Sequence, residues 1–130
     1  MKLARVVLTV LGTLFVVQGA VQLFQPELLT NLIDISVNSV TGRIELQVIY
    51  GGLHMALGAI CFWGAVIADN TRAALTAMLF VALGVAVPRV ALGLLNQDFS
   101  PYSLLAMTVE AASVVLLIGL LKSTRSANLR

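Results

Sequence analysis

The chain has 130 residues, of which 59% are hydrophobic and only 11% charged, with a mean hydropathy of +1.00. That composition excludes a water-soluble globular protein, and the length bounds the chain to one domain, residues 1–130. A net charge of +2 from dispersed residues offers no nucleic-acid footprint, and a lone Cys61 excludes an internal disulfide and a cysteine metal cluster.

The apolar runs lack the two-residue alternation of a barrel, so the fold expected is all-α: an integral membrane four-helix bundle. The first span covers residues 3–24, with Lys2 and Arg5 at its head and no charge across residues 6–26. A basic start, an apolar middle and small residues at Gly19-Ala20 imitate a signal peptide. The apolar pattern runs on to Phe24, which favours a retained span. Gln18 and Gln22 fall one helical turn apart and are expected to face inward as a polar pair.

A connector follows. Pro26 can start a short helix with Leu28, Leu29, Leu32 and Ile33 on one face and Glu27, Asn31 and Asp34 on the other. Such a segment is expected to lie in the membrane interface between spans 1 and 2. Thr41 or Gly42 is then placed to cap the second span, residues 43–68.

That span carries Glu45 and then Tyr50-Gly51-Gly52-Leu53-His54. At 100° per residue Gln47, Tyr50, His54, Gly58 and Cys61 share a face, while Glu45, Gly52, Ala56, Ala59 and Trp63 share the opposite one. The second set is expected to be the small-residue groove for helix packing, and Cys61 a buried small hydrophobe. Asp69-Asn70-Thr71 turns into the third span, residues 72–95. Residues 73–87 are uncharged and lead into Pro88-Arg89. Pro88 has no N–H, so the Gly84 carbonyl loses its helical donor, and an arginine at mid-span costs roughly 2.5–3.5 kcal/mol on insertion scales. A fixed charge kept there normally faces the bundle interior and finds a partner. Residues 96–101 turn again, and the fourth span, residues 101–121, contains Glu110 ahead of a basic tail expected to fray.

Four spans put both termini on one side. That side carries Lys2, Arg5, Arg72, Lys122, Arg125 and Arg130 against Arg43 alone on the other, so the expected location is the inner membrane of the cell, multi-pass, with both termini cytoplasmic. At ~1.5 Å per residue Glu45 lies about 3 Å below the outer helix end, Arg89 about 10 Å, Glu110 about 14 Å and His54 about 16 Å. Asp98 and Tyr102 stand at the mouth. The intramembrane titratable groups thus gather in the outer half.

Arg89, Glu110, Glu45, His54 and Tyr50 are the candidate ligand-binding residues or buried polar network. Each also has a purely structural role open to it. Arg89 and Glu110 can fix helix register, with Glu110 the expected partner because a short loop makes the two helices neighbours. Glu45 sits where a carboxylate favours the helix dipole, His54 can be a hydrogen-bonded bundle histidine, and Tyr50 a packing residue whose hydroxyl finds a partner. Gly51-Gly52 suits close helix contact, since no strand precedes it for phosphate binding.

Glu45, Tyr50-Gly51-Gly52 with Gly58, Pro88-Arg89 with Gly93, Asp98 and Glu110 together resemble a family of small four-span bacterial membrane proteins, domain of unknown function 4345. The resemblance spans nearly the whole chain. It implies a four-helix membrane domain, assigns no activity or catalytic residue, and does not include His54. The residues themselves favour a protein that binds a lipid-like molecule, a quinone, an isoprenoid or a partner helix, with the bilayer and a second copy of the chain as further partners. One alternative is a membrane enzyme on a lipid or isoprenoid substrate, with Glu110 as acid, His54 or Glu45 as base and Arg89 holding an anion. Another is a small proton-linked transporter or channel subunit. No cofactor or metal motif is present in the sequence.

Overall fold

The computed structural model describes residues 2–33 and 35–127. Within them the chain is helical throughout its long segments: α1 (Lys2–Phe24), α2 (Glu27–Ile33), α3 (Val40–Leu46), α4 (Leu53–Val66), α5 (Thr71–Asn96) and α6 (Pro101–Ala127). A π-helical turn, Gln47–Gly52, joins α3 to α4 into one rod of 27 residues. Four helices are long and apolar enough to cross a membrane. Side chains such as Phe80 and Val115, both 71% exposed on the outside of the bundle, suit hydrocarbon and not water.

Local chemistry sets the ends. The second rod begins at Val40 because Ser39, and not Thr41 or Gly42, is its N-cap, its Oγ accepting from the Gly42 N–H at 3.0 Å. The short helix expected after Pro26 is α2, tied to α3 by Glu27 and Arg43 at 2.7 Å; Asp34 lies outside the described residues. Both partners of that pair are more than half exposed, so it contributes no more than about 1 kcal/mol. Residues 68–70 form a 3₁₀ turn, as the Asp69-Asn70 signal requires. The tail does not fray at residue 121. α6 continues to Ala127, and Arg130 lies outside the described residues.

The last carbonyls of a helix have no intrahelical donor, and here neighbouring side chains supply several. Arg5 on α1 donates to the Ala65 and Val66 carbonyls at the end of α4. Thr71 Oγ1 donates to Gly64 O at 2.8 Å. At the other end of the molecule, Gln47 Nε2 donates to Leu23 O at the end of α1, at 2.6 Å.

The order of packing is α1 on α4, α4 on α5 and α5 on α6, with α6 meeting α1 only slightly. The core lies toward the end of the bundle that carries Lys2 and Thr71. There Ala4 and Leu8 meet Cys61 and Ala65, Ala74 to Met78, and Leu117 and Leu120, and Cys61 is fully buried as expected. The opposite end, under α2, has far fewer buried side chains.

The α1–α4 contact is made by glycines. A Cβ on Gly19 would stand 2.7 Å from the Gly51 carbonyl oxygen, and one on Gly58 would stand 2.9 Å from that of Gly12. The packing groove is therefore Gly51 and Gly58 against Gly12 and Gly19. It is not the face of Gly52, Ala56, Ala59 and Trp63 expected from the sequence. Gly52 has nothing within 4 Å of its Cβ position, Trp63 is 47% exposed, and both alanines are exposed. Both faces of the rod carry small residues, and the glycines of α1 select one of them.

Gly19→Ala should destabilise the protein by about 1–3 kcal/mol, because the obstructing atom is backbone and cannot rotate away. Gly119→Ala, where nothing lies within 4 Å, should leave stability unchanged or slightly raised. Thermal unfolding in detergent measures both. Equal stability of Gly19→Ala and the unsubstituted protein would contradict the glycine contact.

Candidate functional site

Arg89 on α5 and Glu110 on α6 form the one ion pair found between two spanning helices among the described residues. Arg89 Nε donates to Glu110 Oε1 at 2.6 Å, with the two side chains 33% and 17% exposed. The partner expected from depth and adjacency is thus the one present. α5 remains helical through Pro88, and Pro88 brings the Gly84 carbonyl, left without a helical donor, to the turn just before the arginine.

The loop between the helices is fixed at both ends. Gln97 is left-handed at φ 54°, and Asp98 N donates to Gly93 O at 2.9 Å while Gln97 N donates to Leu94 O at 3.3 Å. These are the two bonds of a Schellman C-cap. Ser100 then caps α6, accepting from Ser103 N at 3.3 Å, with Pro101 at the first helical position. Asp98 is built into that cap, its Oδ1 accepting from Ser100 N at 3.1 Å and its Oδ2 accepting from the Ser103 hydroxyl. The Ser103 hydroxyl, followed by the groups of Ser100, holds the Asp98 carboxyl below the ordinary aspartate value.

A cavity of about 460 Å³ lies between α5 and α6 beside the ion pair. Gly84, Pro88 and Arg89 line it on α5, Asp98 and Ser103 at the mouth, and Met107 on α6. Arg89 has five N–H donors, of which only the Nε–H is bonded among the described residues. Glu110 Oε2 is buried and has no hydrogen-bond partner among them.

The other candidates are not assembled with this pair. His54 packs against Phe15 and Tyr50, with ring centroids 5.8 and 6.2 Å away, and its Nδ1 is buried without a hydrogen bond among the described residues. The Tyr50 hydroxyl makes none either. Glu45 is exposed and joins neither Arg89 nor His54 in a hydrogen bond or ion pair. The π-helical turn accounts for part of this, since it widens the helix between Glu45 and His54 and resets their faces. Gln22 is buried and Gln18 exposed, so the expected inward polar pair is a single residue, with Gln22 Oε1 lacking a partner among the described residues.

Several contributors escaped the sequence reading. Arg5 and Gln47 act as helix-end donors, and Ser100 and Ser103 hold Asp98. For Ser100 the signal was there: a serine before a proline that opens an apolar run marks a helix start. A second cavity, about 640 Å³, lies under α2 beside Glu27 and Arg43. No group of three or more His, Cys, Asp or Glu side chains able to hold a metal occurs among the described residues.

Residues 3–121 match the family model described as Domain of unknown function (DUF4345). No curated protein and no solved structure matches the chain. The match reaches all four spanning helices and includes both residues of the ion pair, and the chain belongs to this family of unknown function.

Proposed function

We propose that this is an inner-membrane protein with both termini in the cytoplasm, and that it binds an apolar, lipid-like molecule in the cavity between α5 and α6. The observation that carries the reading is Arg89. A guanidinium with unbonded donors lines a cavity between two membrane-spanning helices. The cavity's volume falls within the roughly 300–1,000 Å³ of small-molecule sites. Leu92 and Met107 supply apolar wall beside these polar groups. Among the described residues neither His54 nor Glu45 bonds to Glu110, so Arg89 is the polar partner that Glu110 brings to the cavity.

The orientation is tested with single cysteines in a Cys61→Ala background. Asn38→Cys and Gln97→Cys should be labelled by an impermeant maleimide from outside intact cells, and Asp69→Cys and Ser123→Cys should not. Asp69 is exposed and lies in the turn between α4 and α5. Labelling of the Asp69 position from outside would contradict the topology.

The binding is tested by filling the cavity. Gly84 lines it and has nothing within 4 Å of its Cβ position, so Gly84→Leu should fold normally and occupy the ligand's space. Monooleoylglycerol or decylubiquinone should raise the melting temperature of the unsubstituted protein in detergent by several degrees and leave that of Gly84→Leu unmoved. No shift with either molecule, or equal shifts in both proteins, would overturn the reading.

A further inference from the structure

Resting on the ligand-binding reading above, we infer that the α5–α6 cavity selects an amphiphile with a neutral headgroup, bearing both a hydroxyl donor and a carbonyl acceptor, over its anionic counterpart. An arginine facing a cavity invites the opposite conclusion, that it captures a phosphate or carboxylate. Here the charge is already matched. Glu110 neutralises Arg89 through the Nε contact, and Asp98 lines the same cavity with a second carboxylate. Both Asp98 oxygens accept hydrogen bonds, from Ser100 N and the Ser103 hydroxyl, which favour its ionised form. One guanidinium thus faces two carboxylates. An anion entering would give up its hydration and meet a site whose formal charge has its own sign.

What the cavity keeps is hydrogen-bonding capacity. The Arg89 N–H groups not bonded to Glu110 are donors for a carbonyl or ether oxygen. The Gly84 carbonyl, which Pro88 leaves without a donor, lies between two residues that line the cavity and is an acceptor for a hydroxyl. Asn96 adds a second acceptor, since its amide nitrogen is engaged with Leu92 O at 2.8 Å while its Oδ1 has no partner among the described residues. A phosphate monoester satisfies the donors and leaves these acceptors to be matched by its remaining hydroxyls alone. A glycerol monoester satisfies both sets without bringing a charge. Glu110 is then a specificity-determining residue, because it cancels the field that would otherwise draw an anion to Arg89.

Two lipids that differ only by a phosphate decide the matter: monooleoylglycerol and oleoyl lysophosphatidic acid, each titrated onto the purified full chain and read by native mass spectrometry. The neutral lipid should bind at least tenfold more tightly than the phosphate. Glu110→Gln, which exposes the Arg89 charge, should shift that ratio at least tenfold toward the phosphate. Asp98→Asn, which keeps an acceptor for Ser100 N, should shift it the same way and serves if Glu110→Gln does not fold. A preference for the neutral lipid below tenfold, or tighter binding of the phosphate, by the unsubstituted protein overturns the inference. So does an unchanged ratio in the variants that fold. If neither glycerol lipid binds while decylubiquinone still protects the protein, the inference falls and the cavity reading stands. If none of the three binds, both fall.

Discussion

Arg89 and Glu110 are joined across the α5–α6 interface at 2.6 Å, and most of what distinguishes this half of the molecule follows from that contact. An arginine cannot shed its proton to enter a bilayer, so it needs a carboxylate at its own depth on an adjacent helix. The C-cap at Gln97 and the N-cap at Ser100 supply that geometry, because a short, doubly capped loop sets α5 and α6 antiparallel with a fixed offset. The pair adds a polar tie to the α5–α6 packing, which is the main attachment of α6 because that helix barely touches α1. Removing either partner would strand the other. In soluble proteins that costs ~3–5 kcal/mol, and a membrane reference state lowers the figure without changing its sign.

The two ends of the bundle are built on different principles. Near Lys2 and Thr71 the helices close over a core of Leu8, Cys61, Ala74, Leu75 and their neighbours, and the helix-end carbonyls receive Arg5 and Thr71. Under α2 the α1–α4 contact continues through Gly19 and Gly51, but α5 and α6 leave an open cavity between them, and among the described residues buried polar atoms of Gln22, His54 and Glu110 have no hydrogen-bond partner. Small-residue contacts let the α1–α4 backbones approach closely along both halves of the bundle.

Much of this was legible in the sequence, and the failures have physical causes. Span number and the α5–α6 offset follow from hydropathy and helical rise alone, so Arg89 and Glu110 could be matched by depth before their contact was known. Depth says nothing of azimuth. His54 and Glu45 have suitable depths on a different rod and do not reach the pair, and the π-helical turn at Gln47–Gly52 breaks the constant angle used to place them. Helical spacing alone points to Gly52 and Ala56 as the packing groove, because both faces of the rod are rich in small residues. Only the register against Gly12 and Gly19 separates them, and that is a property of two helices together. Arg5 read as a topology signal, and its second role, donating to the end of α4, depends on a contact 60 residues away in sequence.

Arg89 and Glu110 act as one unit inside the bundle. The most direct measurement is a double-mutant cycle of Arg89→Met, Glu110→Gln and the double variant, read by unfolding in detergent, beside a matching cycle of Arg89→Met with Glu45→Gln. The first cycle should show a coupling within the ~0.5–3 kcal/mol typical of contacting residues, and the second should be additive to within about 0.5 kcal/mol. Additivity in the first cycle, or coupling confined to the second, would contradict the pairing and move the buried charge partnership to Glu45.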